Sequence, residues 1–182
     1  GYESFGNRFG LLTYKTPFSN YKFRLHYRFT GTQTKGGEAW ATKNSGVMIH
    51  SQAPESMLLD QAFPLSLEVQ LLGGIAPNTP RPTGNLCTPA TRVSVNNILV
   101  TEHCINANSE TYYGEEWVAL EIIVTKEKIT HKINGNNVIT YTNPIIGGQF
   151  LEATSKEIQL KDGKSLTSGY ISLQSESHPI EF

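Results

Sequence analysis

The stretch KFRLHYRF (22–29) alternates without a slip: Phe23, Leu25, Tyr27 and Phe29 fall on one side, Arg24, His26 and Arg28 on the other. Successive side chains of an extended chain point to opposite faces, so a period of two reads as a strand with one face buried and one wet. GVMIHS (46–51), LSLEVQLL (65–72), WVALEIIVT (117–125), KITHKI (128–133), NVITYT (137–142) and GYISLQ (169–174) continue the theme. No segment holds a helical period over three turns. Asn-Gly in NGNN (134–137) supplies the positive φ angles of a tight hairpin. Many short two-faced strands hide their apolar sides by stacking sheet on sheet, so the expected fold is all-β, a two-sheet sandwich.

At 182 residues the chain suits one domain over 1–182, long enough to bury a substantial core. Residues 73–114 do not read as strand: prolines stand at 77, 80, 82 and 89 among many Asn and Thr. Within them VSV (93–95) and ILV (98–100), separated by Asn96 and Asn97, suggest a small hairpin. A loop of that length in one domain is usually functional or disordered. Cys87 and Cys104, 17 positions apart, fit neither a zinc knuckle nor a C-x-x-C pair. A disulfide clamping an ordered, functional loop in an oxidising compartment is the preferred reading, with two separate buried thiols as the alternative. A net charge of −1 with 17% charged residues gives no electrostatic case for nucleic acid or an anionic membrane surface. No apolar run reaches the roughly 20 residues a membrane-spanning helix needs. The chain opens at GYESFG without methionine and reads as mature or trimmed.

The alternation sorts the polar residues. If Val47 and Ile49 point inward, Met48 and His50 point out; Glu68 and Gln70 alternate with Leu67, Val69 and Leu71. With Val118, Leu120, Ile122 and Val124 in the core, Trp117, Ala119 and Glu121 face outward. Ile171 and Leu173 likewise leave Ser172, Gln174 and Glu176 on the polar side. Solvation alone accounts for a wet face. Yet His50, Glu68, Gln70, Glu121, Gln174 and Glu176 are acids, amides and a histidine, groups whose paired hydrogen-bonding atoms suit sugar hydroxyls. Trp40, in a Gly-rich loop, and Tyr112 and Tyr113, at the end of the long loop, would either stack on a sugar ring or pack on the domain edge. His131 shares a face with Ile129 and Ile133, so a core histidine and a catalytic one are equal readings. There is no G-x-S-x-G, no H-E-x-x-H and no phosphate-cradling glycine loop. His50, His103 and the acids offer metal ligands, but spacing alone does not establish a site.

NSGVMIHS followed by LEVQLLGG, then TGNLCTP (83–89), the EHC around His103, TYYGEEWVALEIIV (111–124), ITHKINGNNV (129–138) and GYISLQSESHPIEF (169–182) together resemble one family. It is the bacterial family first catalogued as a domain of unknown function and later called 3-keto-disaccharide hydrolase. The resemblance runs from about Phe18 to Phe182. It departs at Ser177, where the family often has Gly, in the lack of an Arg-Asn tail, and before Phe9, where the family's N-terminal strand is partly missing or diverged. The resemblance implies a jelly-roll sandwich of the concanavalin-A-like lectin and glucanase type, with carbohydrate on the concave sheet. It also implies export to the periplasm or cell surface, often as a lipoprotein with a lipid anchor upstream.

The implied activity is cleavage of glycosides already oxidised at C3. The ketone acidifies the C2 hydrogen, a base removes it, the enolate expels the C1 substituent, and water can add to the enone. Such a site needs a base, an enolate stabiliser and an acid near the leaving group. By the resemblance His50 or Glu68 is the base, and Gln70, Gln174 and Glu176 hold hydroxyls or a divalent metal ion acting as stabiliser. His103 would come from the long loop, with a role in metal binding. Two other readings stay open: a non-catalytic carbohydrate-binding module relying on Trp40, Tyr112 or Tyr113, and an ordinary glycosidase pairing Glu68 with Glu121 or Glu176.

Overall fold

The computed structural model describes residues 4–6 and 9–182. The stretch before Phe9, where the resemblance expects an N-terminal strand, lies largely outside them. The described residues form two antiparallel sheets, with strands numbered in chain order. The first runs β1 (Gly10–Thr13), β12 (Tyr170–Ser175), β3 (Asn44–Ser51), β4 (Leu67–Leu72), β5 (Asn85–Cys87), β8 (Cys104–Ile105). The second runs β13 (Ile180–Glu181), β2 (Tyr21–Phe29), β9 (Val118–Val124), β10 (Ile129–Ile133), β11 (Asn136–Ile146), β6 (Thr91–Val95), β7 (Ile98–Val100). The architecture is the expected β-sandwich.

The alternation has the effect that the physics of a strand demands. Val47, Ile49, Leu67, Val69 and Leu71 from the first sheet meet Tyr27, Phe29, Val118, Leu120, Ile122 and Val124 from the second in one buried cluster. Each such aliphatic side chain is worth about 1.5–3 kcal/mol of burial. His131 belongs to this interior: it is fully buried, with Nδ1 2.8 Å from the Gly84 carbonyl and Nε2 2.9 Å from the Tyr141 hydroxyl. Burial lowers its pKa to about 4, so it is a neutral core residue. The turn at Asn134 (φ 47°) and Gly135 (φ 84°) joins β10 to β11 as the Asn-Gly pair requires.

Residues 73–114 contain more structure than expected. The hairpin of β6 and β7 is present, turning at Asn96 and Asn97 with φ of 50° and 64°. β5 and β8 extend the first sheet beyond β4. Strands of three and two residues are too short for alternation to show. Cys87 and Cys104 are joined by a disulfide and stand directly opposite in the β5–β8 register. Earlier in the segment, Arg81 Nη1 donates to the carbonyls of Thr42, Lys43 and Gly73 (2.6–3.0 Å), tying it to the ends of β3 and β4. Thr83 accepts from the Leu72 amide and hydrogen-bonds the Tyr27 hydroxyl inside the core. No helix among the described residues is long and apolar enough to cross a membrane.

Candidate functional site

The outer face of the first sheet carries Met48, Glu68, Cys87 and Cys104 in one cross-strand row, since register pairs each with the next. Above this face lies a cleft of about 230 Å³, lined by Asn44, Glu68, Gln70 and Glu176 and by Trp40, Phe63, Cys87, Pro89, His103 and Cys104. Glu68 and Gln70 share it because they stand two apart on β4. Glu176 arrives from just beyond β12, and Trp40 from the short 3-10 turn Ala39–Ala41 that precedes β3.

Gly46 makes the geometry possible. A Cβ there would lie 2.6 Å from Glu68 Oε1, so the carboxylate folds back over the glycine into space that any other residue would fill. Glu68 is 6% exposed, and burial, with the neighbouring Glu176 carboxylate second, pushes it up to about 8. Glu176 is equally buried, and burial raises it to about 7 while the Arg81 charge pulls the other way. Two carboxyls that desolvation and mutual repulsion keep from ionising together form an acid–base pair near neutral pH. Asn85 Nδ2 donates to Gln70 Oε1 at 3.1 Å, which leaves the Gln70 amide nitrogen as the free donor. Asn44 Oδ1 and Glu176 Oε2 are buried without a hydrogen-bond partner. Such groups await one from a ligand or water.

Several expected site residues lie elsewhere. His50 does not share the cleft with Glu68. Its φ of 47° breaks the alternation, and the β3–β12 register shifts between Tyr170 and Ser172. The ring turns toward Tyr21 on the inner side of β2, with centroids 6.2 Å apart, and lines a separate hollow of about 320 Å³ with Thr125, Lys128 and Leu166. Burial lowers its pKa to about 4. Glu121 lies on the outer face of the second sheet, ion-paired with Arg24 and 3.7 Å from Lys132. Tyr112 and Tyr113 do not line the cleft. The first packs on the core and accepts from Asn134 Nδ2 at 3.0 Å, and the second covers Gly74 with its hydroxyl donating to the Thr79 carbonyl at 3.3 Å. Gln174 is on the correct face but opens into the adjoining hollow with His178.

His103 reaches the cleft, held by its carbonyl, which accepts from the Thr88 amide at 2.8 Å. Its ligand atom lies within 4.8 Å of both cysteine sulfurs, but those sulfurs form the disulfide and are not thiolates. This donor set does not fit a metal ion. Gln70 Oε1, expected as an oxygen donor, is already engaged by Asn85.

Sequence reasoning passed over Asn44, Gly46, Phe63 and Arg81. Gly46 did carry a signal, because glycine within a strand marks a close approach. The others acquire their places only through long-range pairing.

Acids, amides and aromatic rings share one hollow of a β-sandwich, a concave site of the kind in which a few polar groups orient a small ligand. Residues 2–182 match the family described as the 3-keto-alpha-glucoside-1,2-lyase-like domain, and the chain belongs to that family. A crystal structure from Parabacteroides distasonis ATCC 8503, of a protein only provisionally titled a glycosyl hydrolase, is similar at a TM-score of 0.54 and 15% identity, covering 95% of this chain and 78% of that one. A second structure from the same organism, with the same provisional description, aligns at a TM-score of 0.46 and 14% identity, over 92% of this chain and 70% of its own. At such identities the likeness concerns fold alone. No functionally curated protein matches the chain.

Proposed function

We propose that this protein cleaves glycosides whose sugar carries a ketone at C3, by eliminating the C1 substituent across the C1–C2 bond. Glu176, ionised, takes the C2 proton, and the electron pair is delocalised onto the C3 oxygen as an enolate. The Gln70 amide nitrogen donates to that oxygen. The enolate then re-forms the ketone as the C1–O bond breaks, and Glu68, protonated, gives its proton to the leaving oxygen. The products are the free alcohol and a 1,2-unsaturated 3-keto sugar, and addition of water to the latter completes a net hydrolysis. General acid–base groups of this kind contribute about 10²–10⁴-fold each.

The observation that carries the reading is the pair of buried carboxyls in one cleft, raised to about 8 and about 7. Family membership supplies the substrate class. The Cys87–Cys104 bond supports an exported protein. The test is turnover of a 3-keto-glucoside in deuterated water. We expect deuterium at C2 of the hydrated product and no cleavage of the unoxidised parent. Cleavage of the parent, without C2 exchange, selects the two-carboxylate glycosidase instead. Binding without turnover of any keto-glycoside selects the binding module.

A further inference from the structure

We infer that the part of the cleft built on β5 and β8 is a subsite for a planar aromatic aglycone, so that aryl glycosides are preferred over disaccharides. This rests on the reading above that the acid–amide part holds the sugar. The two parts divide by strand. Glu176, Asn44 and Gln70 come from the β12, β3 and β4 side, whereas Cys87, Cys104, Pro89 and His103 come from β5, β8 and their connections. Glu68 stands at the boundary, paired across the strands with Cys87. An acid at that junction faces the bond between sugar and aglycone.

The β5–β8 side is roofed by rings. Phe63 packs on Phe150 with centroids 5.9 Å apart, Phe150 on His103 at 4.9 Å, and Phe9 bridges Phe63 (5.1 Å) to Trp40 (6.2 Å, nearly parallel). Trp40 and Phe150 remain 51% and 43% exposed, so the arc still has apolar surface to cover. Below it lies the disulfide, whose sulfurs are soft, polarisable neighbours for an aromatic ring.

A second sugar ring placed here could lay a C–H face on an aromatic ring, but its edge hydroxyls would meet proline and the disulfide sulfurs, which offer them no hydrogen-bond donor. His103 is the one polar side chain on that side of the cleft lining, and its buried Nδ1, which has no partner, offers a single hydrogen bond. Hydroxyls buried without partners disfavour the complex. A flat aromatic group leaves none unpaired and packs on Phe63 and Trp40, the aromatic side chains that line the cleft. A phenolic oxygen is also a better leaving group than a sugar hydroxyl.

Calorimetric titration of the intact protein with unoxidised phenyl, methyl and glucosyl glucosides of the same anomeric form tests the subsite without requiring turnover. The phenyl glucoside is expected to bind at least about tenfold more tightly than the other two. That advantage should vanish in Phe63→Ala and shrink in Trp40→Ala, whose exposed ring can be removed without threatening the fold. Equal affinities, a preference for the disaccharide, or no measurable binding of the phenyl glucoside overturns the inference. A phenyl preference in a protein that turns over no keto-glycoside retains the subsite and overturns the proposed reaction instead.

Discussion

Glu68 illustrates how one buried carboxyl ties stability to chemistry. Its pKa in the folded protein lies near 8, above the unfolded value, so the folded state holds the proton more tightly. Its contribution to stability is complete below the unfolded pKa, near 4.5, and is lost as pH rises through 8. Chemical denaturation of the native protein and Glu68→Gln should therefore show a stability difference that moves steadily in favour of the glutamine variant from pH 5 to pH 9. A constant difference would contradict the buried, raised carboxyl. Gly46→Ala attacks the same group sterically, since the new methyl would meet Oε1 at 2.6 Å. Overpacking of this kind costs about 1–3 kcal/mol. We expect turnover to fall far more than stability does, read as kcat against the denaturation midpoint of the same preparation.

At the scale of elements, the edge made by β5 and β8 is held by a handful of backbone pairs and the Cys87–Cys104 bond. The bond closes a loop with a sequence separation of 17. Loops of this size correspond to about 3 kcal/mol of restricted unfolded-state freedom. The Cys87→Ala/Cys104→Ala double variant should lose about 2–4 kcal/mol in urea unfolding, and addition of reductant should affect the native protein but not the variant. The longer strands were legible because alternation over six or more residues leaves little choice of face: β2, β4 and β9 keep the sidedness expected of them. β3 kept it only as far as Ile49. A positive φ at His50 turned one side chain inward, and nothing in GVMIHS announces that backbone choice. At Gly169 an added Cβ would meet the His50 carbonyl carbon at 2.3 Å, so close passage of the β12 entry accompanies the distortion.

For the whole molecule, the proposed reaction predicts a bell-shaped dependence of kcat/KM on pH. The rising limb needs Glu176 ionised, near pH 7, and the falling limb needs Glu68 protonated, near pH 8. Because the two carboxyls interact, the limbs report the pair. Glu176→Gln should abolish the rising limb along with most of the turnover. His50→Asn, in a separate hollow, should change kcat/KM by less than about tenfold, whereas Glu68→Gln should cost about 10²–10⁴-fold.

The sequence alone determined the sandwich, the Asn-Gly hairpin and the presence of Glu68, Gln70 and Glu176 on polar faces, while the Cys87–Cys104 bond, one of two readings there, was settled by the fold. These follow from short-range rules: the two-residue period of a strand, the φ tolerance of Asn and Gly, and the need to hide one apolar face. Only the tertiary structure decided which polar residues meet. Glu121 and Glu68 have the same local pattern, yet they belong to different sheets and face away from each other, because a strand's neighbours are set by pairing over distances that no local period encodes.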